Sequence, residues 1–255
     1  MFSLEIKCDL QRRDLLIADL WECGCAGISE LDDNHLRVFF EDSVDRNALL
    51  GKYQGAVLRQ EDERDWVAWA RDLLQPMAVG RRFFLVPEWR DDPAPPGRLR
   101  IPVNPGLAFG TGVHETTQLC LEALEDYLEP HMTAVDVGTG SGILAEAAGL
   151  LGAARVFACD IDPNAVEIAR QRLGACFIGS ANAVRTGVAD LVMANISPQT
   201  VIHLAPELVR LLCPHGILLA SGFESQEVES IRAAMPAITD IRQKGEWALA
   251  VIRRS

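Results

Sequence analysis

The segment Val135-Asp136-Val137-Gly138-Thr139-Gly140-Ser141-Gly142-Ile143-Leu144 sets three glycines at alternate positions behind an apolar run. Glycine lets a backbone turn tightly and lets a ligand lie against it with no Cβ between them. These residues therefore read as a strand entering a ligand-binding loop and a helix leaving it. A second apolar run ends in Asp160-Ile161-Asp162, 22 residues beyond Gly138. That interval puts a carboxylate where it can accept hydrogen bonds from a ribose diol. A glycine-rich turn with no ligand would not need the acidic strand end.

Two cofactors compete for such a pair. A dinucleotide fingerprint wants its third glycine where this chain has Ile143. Here the third glycine comes one step early, at Gly142, and Asp136 stands two residues before Gly138. This Asp-x-Gly-x-Gly-x-Gly form is similar to the first motif of S-adenosylmethionine-dependent methyltransferases. Their cofactor has no pyrophosphate, so Gly138, Gly140 and Gly142 need only accommodate its amino-acid part. Asp136 suits the ammonium end, directly or through water.

Two further segments belong with this loop. Asn104 to Thr117 holds Phe109-Gly110-Thr111-Gly112-Val113-His114-Glu115-Thr116-Thr117, too rich in Gly and Thr for a mere linker. The hydroxyls of Thr111 and Thr117 offer donors and acceptors to a polar ligand. Phe109 can cover an apolar or cationic group. His114 invites a general-base reading, but a single His in a loop is more often a hydrogen-bonding residue. The third segment, Ala194-Asn195-Ile196-Ser197-Pro198, follows the fourth strand of the expected sheet. Ligands of open α/β sheets bind beyond the carboxyl ends of strands, so Asn195 can offer its side-chain oxygen to an amine there.

The elements that position these groups follow from periodicity. Candidate strands are 133–137, 155–160, 176–179, 189–195, 216–221, 237–243 and 246–253, with helices between most of them. Repeated strand–helix–strand units imply a mainly parallel sheet covered on both faces. Lys244-Gly245 is too short for a crossover, so the last two strands form an antiparallel hairpin. The first sixty residues read as strand 2–8, helix 11–22, strands 26–31 and 35–40, helix 44–50 and strand 54–60. That is the split-βαβ pattern of a ferredoxin-like α+β module. Trp66, Trp69, Leu73 and Leu74 lie at helical spacing in a connector that ends at the Pro-rich stretch 91–97. The expected division is a recognition module over 1–60, a connector over 61–100 and a catalytic domain over 101–255.

Bulk composition narrows the classes. A formal charge of −12 argues against gripping a phosphate backbone, which needs a basic face. Residues 1–60 carry 7 basic and 11 acidic side chains, and residues 101–255 carry 10 and 17. Both parts therefore suit a basic protein partner. The sequence contains no apolar stretch near the ~18 residues that cross a bilayer and no secretory signal at its start. The 7 cysteines are odd in number and scattered, as in a reducing cytoplasm, and no Cys or His set stands at metal-binding spacing.

The chain resembles the PrmA-type ribosomal protein methyltransferases. Phe-Gly-Thr-Gly-x-His-x-Thr-Thr at 109–117 matches their loop, as do the glycine motif, Asp160-Ile161-Asp162-Pro163 and Asn195-Ile196. Trp66-Val67-Ala68-Trp69, Leu219-Ala220-Ser221-Gly222 and Glu246-Trp247 extend the likeness over almost the whole chain. Departures are Thr139 where Cys is common, Ser197-Pro198 where Leu-Ala is usual, and a short interval from Leu173 to Ala189. The resemblance implies a Rossmann-like, seven-stranded methyltransferase domain that binds S-adenosylmethionine. It places cofactor contacts at Thr117, Gly138, Asp160 and Asn195. It further implies methylation of lysine side-chain amines, with the N-terminal amine a further candidate, on protein eleven of the large ribosomal subunit. The amine-holding role read for Asn195 makes it the expected catalytic group, and a cytoplasmic monomer is expected. Another protein acceptor, or a non-catalytic cofactor-binding assembly module, are the alternatives, and a nicotinamide oxidoreductase ranks last.

Overall fold

Phe2, Leu4 and Ile6 alternate along β1 (Phe2–Lys7) and turn to one face, as Leu36, Val38 and Phe40 do along β3 (His35–Phe40). The period of two buries both rows in one core, where the Phe2 and Phe40 rings stack at 5.5 Å. The computed structural model describes residues 1–8, 16–17, 19–20, 23–32, 34–60, 75–104, 114–235 and 237–254. They fall into two compact units, Met1–Leu73 and Leu74–Ser255.

In the first unit, β2 (Gly27–Asp32), β3, β1 and β4 (Val57–Gln60) form a sheet in the order β2-β3-β1-β4, antiparallel throughout. This is the ferredoxin-like arrangement anticipated from the element pattern. Helix α1 (Arg46–Lys52) starts at Asp45, whose side chain accepts from the Asn47 and Ala48 amides. Most of the helix expected over 11–22 lies outside the described residues, but 16–17 and 19–20 are helical.

The second unit is built on seven strands: β8 (Thr133–Val137), β9 (Arg155–Asp160), β10 (Cys176–Ile178), β11 (Ala189–Asn195), β12 (Leu212–Glu224), β13 (Ile238–Lys244) and β14 (Trp247–Arg253). Their order is β10-β9-β8-β11-β12-β14-β13, parallel as far as β12 and closed by the antiparallel β13–β14 hairpin. Helices α2 (Glu115–Tyr127), α3 (Ile143–Leu150), α4 (Pro163–Arg170), α5 (Pro198–Leu211) and α6 (Val228–Ala234) join and cover them. Two cores result. Ala134, Leu191, Leu219 and Val251 face α2 and α3, whereas Val135, Val192, Leu218 and Ile252 face the side of α5 and α6. Between β10 and β11 the chain makes only a 3₁₀ turn, Ala181–Ala183, because the short interval has no room for a full helix.

The connector needs correcting. Residues 61–74, with Trp66 and Trp69, lie outside the described residues. The stretch beyond them forms a three-stranded sheet, β5 (Met77–Val79), β6 (Phe83–Pro87) and β7 (Leu99–Val103). Strands β6 and β7 are parallel, and Pro93, Pro95 and Pro96 occupy the crossover between them. The prolines mark a loop inside the second unit, not a boundary between units. Val79, Phe83, Leu85 and Ile101 share a core with Leu119, Leu121 and Leu124 of α2. Glu125, nearly buried, accepts the Arg81 and Arg82 amides at 2.8 Å each. Arg172 reaches Glu88 and Glu146, both at 2.8 Å, and the Pro102 carbonyl.

Candidate functional site

The sheet changes winding direction between β8 and β11, and crevices open at such a switch beyond the carboxyl ends of the strands. A cavity of about 520 Å³ lies there. Gly138 and Gly140 reach it from the loop after β8, Asp160 from the end of β9, Asn195 from the end of β11 and Thr117 from the first turn of α2. Five sequence-chosen residues thus converge from four elements. Phe109 and Thr111 lie outside the described residues.

Asp160 is held in place before any ligand arrives. Its Oδ2 accepts the Gly140 amide at 2.9 Å and its Oδ1 accepts the Asp162 amide at 3.0 Å. A carboxylate has further lone pairs, so both oxygens retain capacity for a diol. Among the described residues lining the cavity, none is Lys or Arg. A pyrophosphate would meet no side-chain cation there, whereas a cationic ligand meets Asp160 without competition.

Asn195 has the orientation an amine requires. Its Nδ2 donates to the Thr117 hydroxyl at 3.4 Å, while its buried Oδ1 has no hydrogen-bond partner among the described residues. A buried acceptor left unmatched is costly unless a donor joins it. An ammonium, an amine or a ligand hydroxyl would supply one.

Asp136 and Gly142 do not line the cavity. Asp136 shares the face of β8 that carries Ala134, is 1% exposed, and accepts the Thr139 hydroxyl on Oδ2 at 2.6 Å. Its Oδ1 has no hydrogen-bond partner among the described residues. Burial pushes this carboxyl up to about 6, opposed by Thr139 and the Ala145 amide and reinforced by Asp160. Nearby, burial raises Cys120 and lifts Cys159 to about 12, with Asp136 adding to both, so these thiols stay neutral. Asp136 thus braces the loop from beneath. Gly142 serves packing: at φ +82°, it precedes α3, and a Cβ there would come 3.2 Å from that of Ala169.

His114 is a helix cap. Its Nδ1 accepts the Thr116 amide at 3.3 Å, and its ring meets the Trp247 ring edge-on at 4.6 Å between centroids. Trp247, Ser180, Ile196 and Gly222 also line the cavity, although none of them is among the site residues expected from the sequence. Gly222 has φ +97°, at a bulge where the β12–β14 register shifts. A Cβ there would strike the backbone of Ile196, standing 2.7 Å from its carbonyl carbon. A glycine inside an apolar strand pattern was the available signal for that close approach.

Residues 40–255 match the family described as ribosomal protein L11 methyltransferase (PrmA). A ribosomal protein L11 methyltransferase from Pelobacter propionicus is 33% identical over 302 aligned positions, covering 99% of this chain and 97% of that relative. One from Symbiobacterium thermophilum is 39% identical over 212 residues, 80% of this chain and 70% of the relative. Among solved structures, the ribosomal protein L11 methylase of Lactobacillus delbrueckii subsp. bulgaricus superimposes with a TM-score of 0.66 at 33% identity. It covers 71% of this chain and all of that one.

Proposed function

The chain belongs to the ribosomal protein L11 methyltransferase family, and on that premise we propose that it transfers methyl groups from S-adenosylmethionine to amines of ribosomal protein L11. Lysine side chains are the acceptors in this reading, with the N-terminal amine a further candidate. The observation that carries it is the Asn195 carboxamide, steered by Thr117, with its buried oxygen unmatched among the described residues at the winding switch.

Bound S-adenosylmethionine supplies an already activated methyl group on a sulfonium, so alignment is the enzyme's main task. Asp160 would hold the ribose, and Gly138 and Gly140 would accommodate the amino-acid part. Asp136, buried beneath that loop, would support it from below. A lysine ammonium, with an unperturbed pKa near ~10.4, has no lone pair and must shed a proton first. Desolvation in the pocket favours the neutral amine. Asn195 Oδ1 then accepts one of its N–H groups and aims the lone pair, while water takes the proton.

The remaining parts of the reading rest on charge and composition. The acidic balance of both parts of the chain favours a basic ribosomal protein as partner over nucleic acid. All 7 cysteines are free thiols, as in the cytoplasm. Among the described residues no helix is long and apolar enough to cross a membrane. A monomer with residues 1–60 as its recognition module completes the proposal.

The test is Asn195→Ala, assayed by transfer of labelled methyl into purified L11 and by mass spectrometry of the product. Turnover should fall about 10²-fold or more, as for the loss of one preorganised polar group. Affinity for S-adenosylhomocysteine should change far less. Equal turnover in variant and wild type would remove Asn195 from the chemistry.

A further inference from the structure

We infer that Ile196 is a positioning residue, a wedge that holds the cofactor loop and the acceptor-facing Asn195 at a fixed spacing. The inference deepens the methyl-transfer reading and rests on it.

Ile196 is gripped on two sides by glycines in left-handed conformations. Gly138 has φ +73°, and a Cβ built on it would overlap Ile196 Cγ2. Gly222 has φ +97°, and a Cβ on it would overlap the Ile196 carbonyl oxygen and stand 2.9 Å from its amide nitrogen. The Ile196 amide donates to the Ser221 carbonyl at 3.2 Å, directly after Asn195 pairs with Ser221 in the sheet register. On the other side Gly138 is tied by its own amide to the Cys159 carbonyl at 2.9 Å. The side chain of Ile196 therefore lies flat on the loop after β8, and its backbone lies flat on the bulge of β12.

The contact with Gly138 is made by the γ2 methyl, which branches from Cβ next to the backbone. Such a group follows the main chain with one stiff torsion, unlike a methyl at the end of a flexible chain. Any displacement of Gly138 must be met by Ile196, and Gly222 leaves its backbone no space to retreat. Asn195, one residue earlier, inherits that placement. The sulfur side of the reaction is set by the glycine loop and the nitrogen side by Asn195, so the wedge sets the distance between them. Misplacement of about 1 Å costs on the order of 10²-fold in rate when alignment is the principal contribution.

The test compares Ile196→Val, Ile196→Leu and Ile196→Ala in the full chain. Valine keeps the γ2 methyl with less volume, whereas leucine keeps the volume and loses the branch. Methyl transfer into L11 gives kcat and the acceptor KM. In parallel, the side-chain amide resonance of Asn195 is followed by NMR on addition of S-adenosylhomocysteine. Ile196→Val should stay within about twofold of wild type, and Ile196→Leu should lose about tenfold or more in kcat with little change in KM. The resonance should respond alike in wild type and Ile196→Val and differently in Ile196→Leu. Leucine doing as well as valine, or a loss confined to KM, would overturn the wedge. If Ile196→Ala does not fold, the valine–leucine pair still decides. If wild type leaves L11 unmodified while the resonance separates valine from leucine, the wedge stands and the methyl-transfer reading falls.

Discussion

Replacing Asp136 by Asn should stabilise the ligand-free protein at neutral pH and leave it unchanged in acid. The carboxyl ionises near 3.8 in an unperturbed setting and near 6 in the fold, chiefly because burial penalises its charge. Between those values the folded chain holds more protons than the unfolded one, so stability falls as pH rises through that window. Above about pH 6 the cost is complete. A gap of about two pH units, at about 1.4 kcal/mol each, comes to about 3 kcal/mol. Below about pH 3 the cost is nearly absent, since both states then carry the proton. Asparagine has nearly the same shape, still accepts the Thr139 hydroxyl, and cannot ionise. Cys120 and Cys159 stay protonated over this range, and Asp160 is common to both proteins, so the difference between variant and wild type isolates Asp136. Because the chain has two compact units, global melting would mix two events. Hydrogen exchange at the Val135 and Val137 amides, in the strand that bears Asp136, reads the second unit by itself. The variant should gain about 3 kcal/mol of protection at pH 7.5 and almost none at about pH 3. A gain independent of pH would show that packing, not the buried charge, sets the difference.

Two other substitutions probe different parts of the second unit. Asp160→Asn removes the charge while keeping an oxygen for the Gly140 amide. Calorimetry should show affinity for S-adenosylhomocysteine falling about 10- to 100-fold, as for a charge-assisted hydrogen bond, and a change under twofold would free Asp160 from the cofactor role. Glu125→Ala strands the Arg81 and Arg82 amides, and hydrogen exchange at the Leu121 and Leu124 amides should show a loss of about 2–3 kcal/mol of protection. A loss below about 0.5 kcal/mol would mean that water replaces the carboxylate without penalty.

The parallel strands were legible because each contains a short apolar run closed by Gly, Asp or Asn. The bounds 133–137, 155–160 and 189–195 coincide with β8, β9 and β11. Asp160 and Asn195 were legible for the same reason, since a polar residue ending such a strand arrives at the switch. Asp136 was read as a ligand contact on its position in the motif. The two-residue period of β8 sends its side chain toward α2 and α3, and the loop then closes over it. The partnership of Ile196 with Gly138 and Gly222 joins positions up to 84 residues apart, and no local pattern encodes a distance of that kind. Strands β5 to β7 were hidden by a similar effect. Three prolines within four positions outweighed the alternation of Phe83, Leu85 and Ile101, whose partners lie in α2.

Those three strands decide where the chain can be cut. A catalytic fragment beginning at 101 would discard Val79, Phe83 and Leu85, each at most 2% exposed, and leave β7 without its neighbour. Burial of such side chains contributes about 1.5–3 kcal/mol apiece, comparable in sum with the whole margin of a folded domain. Glu125 would lose both amides it caps and Arg172 its bond to Glu88. A fragment beginning at 74 keeps all of these. The shortest self-sufficient version of the pocket therefore starts well before the glycine loop, and a fusion, library or minimal enzyme built on it should carry the three strands as its first element.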